Sequence, residues 1–369
     1  MTPLTKRILV TLVVAPLIGL LWLLADGTRP YLKGNTPITL DIPRGARTAQ
    51  IARQLESAGA IRSSWTFLAL HGLQLSNTLK AGEYDFEQPA STLAILRKLV
   101  RGDVSYEVLM LPEGSNRFEI ADLVAEKGFS TREEFLRATE NPQSVVDLDP
   151  EASNLEGYLF PDSYKLPRHA RPAEIVRAMV DRFREVYGAL RPKAPDPSIA
   201  RSDARPGARS IREVVTIASL VEKETWVTRE RPLIAGIFYN RLRRGIALQA
   251  DPTVAYATFL ANGYTGRIRR SDLGIESPYN TYTQKGLPAG PIANPGRASL
   301  RAALQPASTD YFYFVANADG GHIFSKTLAE HNLAVAQYRQ DKSERAQTAR
   351  DNPATQQSTA QADAGVPQR

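Results

Sequence analysis

"ITLDIPRGARTAQIARQLESAGAI", residues 38–61, returns in altered form as "EVLMLPEGSNRFEIADLVAEKGF", residues 107–129. One constant offset of 69 aligns Pro43 with Pro112, Gly45 with Gly114, Ile51 with Ile120, Ala52 with Ala121 and Gly59 with Gly128. Each copy opens on alternating apolar and polar residues, the period of a strand. It breaks at Pro-x-Gly, continues with apolar residues at helical spacing, and stops at Gly. Between the copies, "LKAGEYDFEQPASTLAILRKLVRG" (79–102) repeats the strand–turn–helix theme loosely. Short strands interleaved with short helices predict an α+β fold, with helices packed on small sheets. Residues 38–149 form one such module, and it carries no set of catalytic residue types.

Upstream, "TKRILVTLVVAPLIGLLWLLAD" holds 18 uncharged residues from Ile8 to Ala25, about 27 Å as a helix. Lys6 and Arg7 precede the run and Asp26 follows it. This reads as a single-pass transmembrane helix over 8–25, with residues 1–7 cytoplasmic and the bulk of the chain beyond the membrane. The run is long for a signal-peptide core, and Leu23 is bulky where cleavage wants a small residue. Residues 26–37 read as linker.

The whole chain has 369 residues, 43% apolar and 23% charged, with net charge +7. Its basic residues are scattered, and no recognition helix or aromatic–basic platform for nucleic acid stands out. A positive balance suits an anionic membrane surface or an acidic polymer. There is no cysteine, which excludes disulfides, thiol catalysis and Cys-based metal sites. No GxSxG, phosphate loop or HExxH occurs, so no cofactor or metal is implied; His322 and His331, nine apart, are too thin a set.

From about 150 to 341 the texture changes to a candidate catalytic domain. Helical periodicity covers about 172–190, 211–225 and 229–244. Loops rich in Tyr, Asn, Thr, Pro and Gly follow, "ALQADPTVAYA" (247–257) and "SPYNTYTQKGLPAGPIANPG" (277–296), the composition of a binding surface. Aromatic rings and amides suit sugars, whose apolar faces stack and whose hydroxyls bond. Residues 342–369 are polar, lack an apolar period, and read as a disordered tail.

The chemistry concentrates in "TIASLVEKETWVTRERP" (216–232). Glu222 and Glu224 point about 200° apart on a helix and cannot share a face. Each borders apolar neighbours, and a carboxyl there is partly desolvated and moves toward a proton donor. Periodicity alone does not choose between them.

"ASLVEKET", "RPLIAGIFYNRLRRGIALQADPTVAYA", "EGYLFPDSY", "YNTYTQKGLPAGPIANPG" and "YFYFVANADGGHIFS" resemble the signature blocks of the bacterial membrane-anchored endolytic murein transglycosylases, the YceG-like family. The N-terminal repeat resembles that family's LysM-like module. The resemblance implies an endolytic lytic transglycosylase of peptidoglycan, anchored in the inner membrane with its catalytic domain in the periplasm. It implies cleavage of the MurNAc–GlcNAc β-1,4 bond with 1,6-anhydro-MurNAc ends, termination of nascent strands, and peptidoglycan synthases (penicillin-binding proteins) as candidate partners. The second Glu of E-K-E-T, here Glu224, is then the catalytic acid, with Thr225 a hydroxyl neighbour able to orient it. Glu222 becomes structural, pairing with a basic group or capping a loop. Gln249, Asp251, Asn280 and Tyr282 are the candidates for holding sugar and acetamido groups. The alternatives are a non-catalytic peptidoglycan-binding scaffold and a water-using glycoside hydrolase in which Asp251 or Asp162 activates water.

Overall fold

In the computed structural model the described residues are 17–73, 78–168, 170–191, 209–261 and 266–351. They divide into two compact units. The first holds the residues up to Leu109 with Lys127–Phe129 and Tyr164–Arg171; the second holds the rest.

The first unit is built from β1 (Ile38–Ile42), α1 (Thr48–Ala58), α2 (Ser64–Leu73), β2 (Gly82–Phe86), α3 (Thr92–Arg101) and all but one end residue of each of β3 (Tyr106–Met110) and β4 (Ser163–Pro167). β1 pairs antiparallel with β2, Leu40 opposite Tyr84, and β3 pairs with β4. Ile42, Ile51, Leu55, Phe67, Tyr84, Ile95, Leu96 and Leu99 form its core. α1 presents Ile51, Ala52 and Leu55 to that core, the i, i+1, i+4 stripe of an amphipathic helix.

The two repeat copies are geometrically equivalent. β1 and α1 in the first match β3 and α4 (Arg117–Glu126) in the second. The turn glycines Gly45 and Gly114 have φ of 81° and 79°, and the helix-stop glycines Gly59 and Gly128 have 83° and 73°. All four lie in the left-handed region that an L side chain rarely adopts, which is why the repeat keeps glycine there.

The membrane-spanning helix over 8–25 is corrected by the structure. Residues 8–16 lie outside the described residues. Residues 17–28 are helical. The end of that helix belongs to the first unit: Leu23 packs on its core and Thr66 donates to Asp26 at 2.5 Å. No helix among the described residues is long and apolar enough to cross a membrane. Among the described residues the fold is α+β without that span.

The second unit continues with α4, α5 (Arg132–Glu140), α6 (Pro172–Leu190), α7 (Ile211–Glu224), α8 (Arg231–Arg243), α9 (Asp251–Leu260), α10 (Arg297–Leu304), β5 (Tyr313–Ala316), β6 (His322–Ser325) and α11 (Leu328–Asp351). β5 and β6 form an antiparallel pair. α7 packs against α8, α9 and α10. Every residue from Val214 to Glu222 is buried, so the middle of α7 has no solvated face. Its Thr216 and Ser219 turn inward, and the Ser219 hydroxyl accepts from Ile292 N (3.1 Å), fixing the 277–296 loop against the helix. Where the sequence reads loop through 247–257, α9 begins at Asp251, with Pro252 in its first turn. α11 runs to Asp351, into the stretch read as a tail; residues 352–369 lie outside the described residues.

Candidate active site

The end of α7 separates the two glutamates. Glu222 is buried, its Oε1 accepting from Arg231 Nη2 at 2.9 Å and its Oε2 from Gly296 N at 2.8 Å. It pairs with a basic group and caps a loop, both of the structural roles expected of it. A Cβ on Gly296 would sit 2.0 Å from Glu113 Oε1, so a side chain there would displace the Glu113 carboxyl.

Glu224 is the last residue of α7, and its carboxyl makes no hydrogen bond or ion pair among the described residues. The residue is half-buried. Burial pushes its pKa up to about 8, the charge of Asp251 adds to that rise, and Arg241 opposes it. The rise moves the carboxyl toward the range of a proton donor, and no described residue hydrogen-bonds it.

Thr225, the C-cap, is buried and extended (φ −144°, ψ 135°). Its hydroxyl accepts from Val227 N at 3.0 Å, so it shapes the chain leaving the helix. No hydrogen bond from Thr225 to the Glu224 carboxyl is present among the described residues.

The other wall comes from the start of α9 and the 277–296 loop. The Tyr282 hydroxyl donates to Asp251 Oδ1 at 2.5 Å, and burial together with Asp251 raises the Tyr282 pKa. A clasp of two buried threonines sets this pair. Thr281 Oγ1 accepts from Ala250 N (3.0 Å) and meets Thr253 Oγ1 (2.9 Å), which donates to Ala250 O (2.7 Å). Gln249, just before, has φ 49°, the sole non-glycine residue with positive φ among the described residues. Such backbone strain persists only where the surroundings over-determine it. Its side chain is exposed.

Asn280 is fully buried and its amide is spent inside the protein. It donates to Leu273 O (3.0 Å) and Ile275 O (2.8 Å) and accepts from Tyr282 N (2.9 Å). It orders the loop that carries Tyr282. Of the four sequence candidates, Asp251 and Tyr282 bond to each other near Glu224, Gln249 stands at the turn before Asp251, and Asn280 supports from behind.

Sequence reasoning missed Arg241 and the threonine clasp. Arg241 is buried at the end of α8, bonds Phe312 O (2.6 Å) and Leu248 O (2.6 Å), and lies over the Tyr313 ring at 5.1 Å. From sequence it reads only as a cation matching a helix dipole. Thr253 and Thr281 are 28 residues apart, and no local pattern joins them. Asp162, the alternative water-activating residue, is bound to Arg182 at 2.7 Å. His322 pairs with Glu230 at 2.7 Å and His331 stacks on Tyr313, each occupied by itself.

The YceG-like family model matches residues 40–337, a span containing every residue above. The chain belongs to the YceG-like family. The endolytic murein transglycosylase of Bacillus subtilis (strain 168) is 32% identical over 330 residues, covering 84% of this chain and 87% of that one. The endolytic murein transglycosylase of Streptococcus pneumoniae (strain R6) is 28% identical over 337 residues, and the match covers 82% of this YceG-like chain and 58% of that relative. A crystal structure of a YceG-like protein from Listeria monocytogenes aligns with TM-score 0.51 and 32% identity, covering 81% of this chain and 99% of that one.

Proposed function

We propose that this YceG-like protein is a murein lytic transglycosylase that cuts within glycan strands at the MurNAc–GlcNAc β-1,4 bond and leaves 1,6-anhydro-MurNAc ends. The observation that supports the reading is Glu224: one half-buried carboxyl without a hydrogen bond or ion pair among the described residues, its pKa raised to about 8. A general acid works best when its pKa lies near the operating pH.

The cycle needs one carboxyl. Glu224 gives its proton to the glycosidic oxygen as the C1–O bond breaks, while the substrate's own 2-acetamido oxygen bonds to C1. The C6 hydroxyl then attacks C1, displaces the acetamido oxygen, and returns its proton to the Glu224 carboxylate. No water is consumed, and the enzyme ends as it began. Most glycosidases employ a second carboxylate as nucleophile or base. Here the neighbouring carboxylate, Asp251, is engaged by the Tyr282 hydroxyl. Asp251 is suited to accept the acetamido N–H, and Tyr282 to keep it oriented. The chain acts where murein lies, outside the cytoplasm. A cut inside a growing strand ends its elongation, which makes peptidoglycan synthases its natural partners.

Mass spectrometry of the fragments released from purified sacculi tests this. Anhydro-muramyl ends support the transglycosylase. Ends that have gained water make the protein a hydrolase, with Asp251 the base.

A further inference from the structure

Two residues past the acid stands a tryptophan that the fold does not use. Trp226 exposes 87% of its surface, in a chain with three tryptophans. An indole is a large apolar face, and leaving it in water is unfavourable unless something covers it.

Its direction follows from Thr225. That residue is extended and points into the protein, its surface buried. In extended backbone successive side chains alternate, and residues i and i+2 share a side. Trp226 therefore stands on the outward side of Thr225, and Glu224 is the helix residue immediately before Thr225. Two Cα–Cα steps keep their Cα atoms within about 7.6 Å. The backbone on both sides is pinned: Thr225 N donates to Val221 O (3.2 Å), Val227 N to Thr225 Oγ1 (3.0 Å), and Glu230 N to Val227 O (2.9 Å). A bare, rigidly mounted aromatic beside the acid is what a glycan strand lying across Glu224 would meet next.

We propose that Trp226 is a sugar-stacking subsite, its indole covering the apolar face of the pyranose ring adjoining the one whose bond is cut. This rests on Glu224 being the acid of a glycan-cleaving enzyme. Rings carry their C–H groups on one face, and an aromatic platform there supplies affinity and holds the strand in line. Aromatic contacts of this kind contribute about 0.5–1.5 kcal/mol beyond area burial, so Trp226→Ala raises KM roughly 2- to 12-fold. kcat changes less, because the acid is untouched.

The experiment uses peptide-free murein glycan strands and the full chain. KM and kcat are measured for the parent, Trp226→Ala and Trp226→Tyr; the tyrosine variant recovers most of the lost KM. In parallel, indole emission is titrated with the same strands in Glu224→Gln and in Glu224→Gln/Trp226→Phe. Trp22 and Trp65 remain as internal controls. The emission change appears in the first and disappears in the second. An unchanged KM in Trp226→Ala, or an emission change that survives Trp226→Phe, overturns the subsite while a dead Glu224→Gln leaves the acid standing. Full turnover by Glu224→Gln overturns both.

Discussion

Glu222 and Arg231 form a buried ion pair at 2.9 Å, and the second oxygen of Glu222 holds Gly296 N at 2.8 Å. Removing one partner of such a pair leaves an uncompensated buried charge, at a cost of about 3–5 kcal/mol. Glu222→Ala therefore lowers stability by about that much in chemical denaturation. The fraction that remains folded keeps substantial turnover, because Glu224 lies on the other side of the helix end.

Asp251 acts on Glu224 through its charge as well as its geometry. Its negative charge helps raise the Glu224 pKa to about 8. Asp251→Asn removes that contribution, and the alkaline limb of the kcat/KM profile moves to lower pH. A pH–rate profile for parent and variant reads the shift directly. An alkaline limb that stays in place or moves upward contradicts the assignment of that limb to Glu224.

The folded-state pKa of Glu224 lies above its ordinary 4.5, so the folded protein binds this proton more tightly than the unfolded chain. The resulting stabilisation is whole below about pH 4.5 and lost as pH rises through about 8. Glu224→Gln has no such proton to lose. Its thermal midpoint relative to the parent climbs between those values and levels off beyond them. Scanning calorimetry of both proteins across that range shows whether the gap opens.

The threonine clasp predicts a coupled loss. Thr281→Val keeps the volume but strips the partner of Ala250 N, and an unsatisfied buried donor costs about 1–3 kcal/mol. Because the clasp sets Asp251 and Tyr282 together, kcat/KM falls as well as the melting temperature. Normal kcat/KM in a destabilised Thr281→Val would make the clasp scaffold alone.

What the sequence revealed depended on the range of the interaction. The repeat was legible because strand alternation, helical spacing and left-handed glycines are local signals, and Gly45, Gly59, Gly114 and Gly128 take the expected conformations. The two glutamates were separable only as directions; periodicity could not say that Arg231 and Gly296 wait on one side and Asp251 on the other. The clasp and Arg241 stayed hidden because their partners are distant in sequence. Asn280 was read as a ligand holder, yet an amide buried in a loop serves equally well as the loop's own hydrogen-bond hub. The apolar run before Asp26 carried a membrane period, but the described part of it ends in the first unit through Leu23 and Thr66.

The central claim is that Glu224 alone supplies the proton and takes it back. Release of 1,6-anhydro fragments from sacculi by Glu224→Gln, normalised to folded protein, measures it most directly. General acid–base groups are worth roughly 10²–10⁴-fold, so release falls by at least that factor while the protein stays folded. Robust release by Glu224→Gln, with a folded but inactive Glu222→Gln, would contradict the account and move the acid to the other side of the helix.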